Sequence, residues 1–326
     1  MLAIIIGFII GLLVPVQTSV NTRLRGVVGS PFLASLISFS IGSLFLLLLV
    51  LLVDGNLTGL TATADEPFWI WGGGLLGVIY LTGNILLFPR LGGVQTVIMP
   101  IFGQVVMGLL IDHFGLFEAN VTTLSLTRII GAILVLLGVV GTVALGDYLA
   151  RRRQKRLESQ GNSLLVWRVL GVLTGMMSAA QTAINGHLGS VLGSAVKGAL
   201  ISFIIGTITL LLLNLTLRTK WQIDRAQPLP AWIWIGGLIG ALFVAGNAFI
   251  VPLVGTGLAV VIVTIGLLTG SLLIDRFGWF GAKKQPSHRC ADRQSTRHAR
   301  WHHPDSFMNK QTVSRVREST HETVCF

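Results

Sequence analysis

The hydrophobic pattern of this chain is a series of long apolar stretches separated by short polar ones. Stretches such as 41–53 and 129–145 are apolar almost all the way round. A helix of that kind is either buried in a large core or spans a membrane. About 20 residues cross about 30 Å of hydrocarbon. On that rule the pattern predicts spanning helices at about 2–20, 32–53, 68–88, 94–112 and 126–146, then at about 164–184, 196–217, 231–251 and 257–275. All must be helices, because an open strand edge cannot satisfy its backbone in lipid. The expected fold class is an all-α polytopic membrane protein with about nine transmembrane helices.

The longest strongly polar interruption before residue 281 is 147–163, reading DYLARRRQKRLESQGNS. It divides the chain into a first membrane repeat (1–147), a basic linker (148–163), a second membrane repeat (164–281) and a polar basic tail (282–326). The second half repeats the first. Gly7, Gly11, Gln17, Thr18 and Asn21 recur as Gly171, Gly175, Gln181, Thr182 and Asn185. LISF with Gly42 recurs as LISF with Gly206. Trp69-Ile70-Trp71 with Gly73, Gly74, Gly77 and Asn84 recurs as Trp232-Ile233-Trp234 with Gly236, Gly237, Gly240 and Asn247. Leu110–Gly115 matches Leu273–Gly278, and the offset drifts by one residue along the way. Such self-similarity marks a duplication.

Loop charge gives the expected orientation. The loops with Arg23/Arg25 and Arg90, and the linker, are alternate connections and all are basic. Between them, 54–67 carries Asp54, Asp65 and Glu66 and no Lys or Arg. The positive-inside rule puts the basic loops in the cytoplasm and the N-terminus outside. An odd number of helices per half then inverts the second copy, and Arg218, Lys220 and Arg225 fall inside. Lys197 falls outside, against the rule. The second copy stops after the ninth helix, since the tail is polar where a tenth would lie. The expectation is two inverted five-helix repeats, the second truncated. A ninth helix without its neighbour leaves low stability or the recruitment of a helix from a second copy, a homodimer.

Composition supports the membrane assignment. Only 11% of residues are charged, against about 25% in soluble domains. The net charge of +11 suggests a nucleic-acid partner at first sight, but its location in loops, linker and tail is the pattern of insertion topology. Partners are then the lipid bilayer and a small molecule, with no nucleic acid. Cys290 and Cys325 both lie in the tail and imply no disulfide framework. Residues 1–20 lack a basic start and a small-residue cleavage site, and read as a retained first helix.

Candidate chemistry is sparse. Gln17 and Asn21 share a helix face at i, i+4, as do Gln181 and Asn185. An amide facing lipid loses its hydrogen bonds, so all four are expected to point into protein or a cavity. They either line a pathway between the halves or glue the bundle. Trp71 and Trp234 open their helices, as interfacial anchors or as an aromatic gate. Asn84 and Asn247 stand five residues before a proline, where they bond backbone freed by it or line the pathway. Asp112 and Asp275 are expected to be interfacial and hydrated, ion coupling being the alternative. No span carries a P-loop, a Ser-His-Asp set or a Cys/His metal cluster, so neither an enzyme, a cofactor nor a metal is expected. His298, His302 and His303 offer a tail metal site only if the tail forms a helix.

The amide pairs, Gly29-Ser30-Pro31 (Gly193-Ser194-Ala195 in the second copy), LISF with its glycine and the tryptophan-glycine helix resemble the YdcZ-like family of the drug/metabolite transporter superfamily. The resemblance covers about 1–281. It implies a multi-pass bacterial inner-membrane protein built from five-helix units, paired in opposite orientation or fused, that exports small molecules. Small multidrug exporters of the same superfamily carry an embedded glutamate in the first helix. This chain has Gln17 and Gln181 there, so that route of proton coupling does not carry over. The expected function is therefore transport by alternating access of inverted repeats. A passive channel or facilitator, and a membrane regulatory or assembly protein that transports nothing, are the alternatives.

Overall fold

A computed structural model describes residues 1–58, 63, 65–122, 125, 126, 129–134, 137, 138, 141, 161–220 and 230–277, without the side chains of 92–94, 161–163, 275 and 276. The described residues form α1 (Leu2–Val28), α2 (Pro31–Val53), α3 (Gly72–Phe114), α4 (Gly161–Val191), α5 (Ala195–Thr216), α6 (Gly236–Val254) and α7 (Thr256–Phe277). Short 3-10 turns, Phe68–Trp71 and Ala231–Trp234, lead into α3 and α6. These elements supply eight helices long and apolar enough to cross a membrane. The chain is thus an all-α polytopic membrane protein. Eight of the nine expected spans are present. The other, 126–146, is described only in part, and the linker at 148–160 and the tail at 282–326 lie outside the described residues.

Local sequence sets the connections. α1 ends at Gly29, whose φ of 71° needs no Cβ and lets its N–H reach the Arg25 carbonyl. Ser30 then caps α2 by accepting from the Leu33 N–H, with Pro31 as the first helical residue. The second half reuses the device. Gly193 has φ 63°, and Ser194 accepts from the Lys197 N–H to open α5. α1 and α4 run past their expected ends at 20 and 184 to reach these turns.

α3 supplies two spans, Phe68–Leu91 and Gln95–Phe114. The spans lie on α4 in opposite directions. Gly73, Gly77 and Gly83 face Asn185, Gln181 and Thr174 in turn, whereas Met99 faces Gly171 and Gly103 faces Val172 and Met176. In the second half the reversal is explicit: Gly255, with φ 83°, separates α6 from α7. The hairpin α6–α7 holds α1 as α3 holds α4. Gly236, Gly240 and Gly246 face Asn21, Gln17 and Ile10, and Gly266 and Gly270 face Phe8 and Leu12. Each half therefore places its first helix in the hairpin of the other.

The halves are related by a two-fold axis that crosses α2 and α5. Phe39 and Phe203, equivalent residues, stack with ring centroids 4.7 Å apart. Ser43 and Thr207, also equivalent, hydrogen-bond at 3.0 Å. Asn214, near the end of α5, donates to the carbonyl of Phe32 near the start of α2 at 3.2 Å. The equivalent pairs mark where the helices cross, and the Asn214–Phe32 contact makes them antiparallel. The axis is then perpendicular to the spans, which makes the repeats inverted.

Lipid tails are as apolar as leucine, so helices in a bilayer associate through close packing and polar contacts. Here the approach is closest at glycine. A Cβ at Gly11 would strike the carbonyl of Val263, and one at Gly175 that of Pro100. The obstacle is backbone and cannot swing away. Overpacking of this kind costs about 1–3 kcal/mol. Gly11→Ala or Gly175→Ala should lower the melting temperature of the detergent-purified protein, whereas Gly26→Ala, with nothing within 4 Å, should not. Equal melting of all three would contradict the glycine seats.

Candidate functional site

The amide pairs sit where the halves interlock. Gln17 and Asn21 lie against Gly240 and Gly236, and Gln181 and Asn185 lie against Gly77 and Gly73. Any side chain at these glycines would displace an amide. All four amides are buried. Their i, i+4 spacing is met by glycines four apart on the opposing helix, which explains why both motifs repeat together. Asn21 accepts a hydrogen bond from Ser38. Asn185 and Ser202, the equivalent pair, leave Asn185 Oδ1, Asn185 Nδ2 and Ser202 Oγ buried without partners. The two halves thus differ in polar pairing while sharing a backbone plan.

Between the halves, beside the Phe39–Phe203 stack, lies a cavity of about 30 Å³. Gln17, Ser38, Tyr80 and Gln181 give it polar walls, and Leu81, Phe243 and Val244 give it apolar ones. That volume suits one or two waters. No Asp, Glu, Lys or Arg lines it. Gln17 and Gln181 meet there from opposite repeats.

The other sequence candidates are placed differently. Asn84 is buried beside Tyr80, which shares side-chain hydrogen bonds with Asn84 and Gln104. Asn247 donates to the carbonyl of Phe243 in its own helix at 2.9 Å. That is not the carbonyl freed by Pro252, which belongs to Ala248 four residues before it. Trp71 is half-buried against Ile70, Leu188 and Leu192, and Trp234 is 38% exposed. Neither lines the cavity. Asp112 is only 1% exposed rather than hydrated. Its carboxylate accepts from the N–H groups of Thr256 at 3.0 Å and Gly257 at 2.8 Å, capping α7 of the other half. A carboxylate at a helix N-terminus is favoured by the orphan N–H groups and the dipole. The side chain of Asp275 lies outside the described residues.

Charge separates the two ends of the bundle. One end carries Arg23, Arg25, Arg90, Arg168, Arg218 and Lys220. The other carries Asp54, Asp65, Glu66, Asp112 and Glu118. There, residues 54–58 fold onto the α4–α5 turn. Ser194 donates to Asp54 Oδ2 at 2.7 Å, and Lys197 Nζ donates to the carbonyl of Thr58 at 3.0 Å. Lys197, which conflicts with the positive-inside rule, is therefore buried and held by a loop carbonyl. His187 Nε2 lies 3.2 Å from Glu66 and 3.7 Å from Glu118, under Trp69. These three side chains converge closely enough to share one ion. No sequence motif joins them, because they come from a loop, a turn and a helix 121 residues apart at the widest.

Comparison with known protein families matches residues 2–141 and 166–290 to the family described as "Putative inner membrane exporter, YdcZ". No curated protein and no solved structure matches the chain. The matched residues cover most of the chain in two segments, one per repeat, so this multi-pass inner-membrane protein belongs to the YdcZ family.

Proposed function

We propose that this protein exports small molecules by alternating access, with the cavity between Gln17 and Gln181 as the binding site. One observation carries the reading: Gln17 and Gln181, equivalent residues of the two repeats, line one cavity beside the Phe39–Phe203 stack. Inverted-repeat transporters bind at the repeat interface near the midplane and rock about it. Glycine seats on both sides supply smooth faces on which the halves shift. A channel or passive facilitator is the second reading, and it is favoured by the lack of Asp, Glu, Lys, Arg or His among the described residues of the cavity wall. The basic end is the cytoplasmic one in either case.

Flux in proteoliposomes separates the readings. A panel of small organic cations, zwitterions and neutral amphiphiles is followed with and without a pH gradient. Export predicts accumulation of at least one compound against its gradient, and passive flow predicts equilibration only. Gln17→Leu and Gln181→Leu should each cut that flux at least tenfold without loss of membrane insertion. Wild-type flux in both variants would remove the cavity from the pathway.

Orientation is tested by cysteines placed singly at Asn56 and Gln154 in a variant without Cys290 and Cys325. An impermeant thiol reagent on intact cells should label Asn56→Cys alone. Labelling of Gln154→Cys would invert the topology.

A further inference from the structure

The two repeats have the same backbone plan, yet their polar side chains are not shared equally. Tyr80, Thr82 and Gln104 of α3 correspond to Phe243, Ala245 and Leu267 of α6 and α7. Ser178 of α4 corresponds to Val14 of α1, and Ser35 of α2 to Ala199 of α5. The equivalence is structural as well as sequential, since Gly103 meets Val172 as Gly266 meets Phe8. Five positions that are apolar on one side of the axis thus carry a hydroxyl or amide on the other.

Four of these five hydrogen-bond in two pairs. Gln104 Nε2 donates to Ser178 Oγ at 3.1 Å, and Thr82 Oγ1 donates to Ser35 Oγ at 2.9 Å. Tyr80 bonds Asn84 and Gln104 and also lines the central cavity. All are at least nine-tenths buried, and Asn84 Oδ1 has no hydrogen-bond partner. A buried amide oxygen left unpaired costs about 1–3 kcal/mol. Packing alone does not require the polar side chains around it, because the opposite side fills the positions of Tyr80, Gln104 and Ser178 with Phe243, Leu267 and Val14. The helix direction places this cluster on the side of the cavity towards Leu91 and the basic end.

We propose that Tyr80, Asn84, Gln104 and Ser178 form a subsite of the central cavity that takes an uncharged hydrogen-bonding group, a hydroxyl or carboxamide. This rests on the reading of that cavity as the substrate site. The chemistry of the donors sets the class. Every group is neutral, each has both donor and acceptor capacity, and none can balance a formal charge. A charged group would enter without a counter-ion at a large desolvation cost. The opposite wall, with Phe243 and Val244, takes apolar parts of the same molecule. The preferred cargo is then a neutral amphiphile whose polar end faces the basic end of the bundle.

The test uses alkylation at mirror positions in the full chain without Cys290 and Cys325, purified in detergent. Ser178→Cys is nearly isosteric, and Val14→Cys is its mirror. Iodoacetamide is an uncharged carboxamide, and iodoacetate is its charged analogue. The subsite predicts that iodoacetamide labels Ser178→Cys at least tenfold faster than Val14→Cys. Its advantage over iodoacetate should exceed that seen with free cysteine. Adding Tyr80→Phe and Gln104→Leu, residues the fold already holds at the mirror positions, should bring the Ser178→Cys rate down to that of Val14→Cys. Equal rates at the two sites, equal use of iodoacetate, or no effect of the double change would each overturn the subsite and leave a dry structural network. Labelling needs no transport. Failed labelling together with a flux that depends on Gln17 removes the subsite alone. Labelling as expected with a flux indifferent to Gln17 upholds the subsite and removes the transport reading.

Discussion

The constraint on which this structure depends is the seating of each repeat's first helix in the hairpin of the other. Lipid provides no hydrophobic drive for helix association, so close backbone approach and polar contact must supply it. Gly11 and Gly266 let α1 meet α7 backbone to backbone, and Gly103 and Gly175 do the same for α3 and α4. Once those helices are interlocked, the amides of Gln17, Asn21, Gln181 and Asn185 have one place to lie, over the glycines of the opposing helix. α2 and α5 then cross at the axis through Phe39 and Phe203. The cavity is what remains between glutamines that cannot approach further. Site and fold therefore share one cause.

Charge acts at the ends and is missing from the middle. The basic end fixes orientation, while the acidic end is tied to the α4–α5 turn through Asp54, Lys197 and His187. Asp112 links the halves at that acidic end by capping α7 from α3. Ionisable residues thus clasp the periphery, and the cavity works with neutral hydrogen-bonding groups. An exchanger that moves protons through a central carboxylate needs a different wall from this one.

Much of the architecture was legible in the chain because lipid imposes simple rules. The apolar stretches located eight spans, and the repeat of Gln17, Asn21 and the glycines announced two related halves. Gly29 and Ser30, with Gly193 and Ser194, marked the same turn twice. The pairing between helices was not legible. Sequence periodicity shows that Gly73 and Gly77 share a face, but not that this face meets Asn185 and Gln181 of the other repeat. The burial of Asp112 was hidden for the same reason, since its partners are backbone N–H groups of Thr256 and Gly257. The cluster of Glu66, Glu118 and His187 depends on a loop returning over a helix end, which no pattern of hydrophobic positions encodes.

The central claim is that the halves move relative to one another about the Phe39–Phe203 axis during transport. It is tested most directly by tying them at the acidic end. Asp54 belongs to the first repeat and Ser194 to the second, and their side chains meet at 2.7 Å. A variant with Asp54→Cys and Ser194→Cys, freed of the tail cysteines, is oxidised in proteoliposomes and its flux measured before and after reduction. The account predicts that the disulfide abolishes flux and that reduction restores it. Full flux with the disulfide closed would show that the halves need not part there, and would contradict the mechanism.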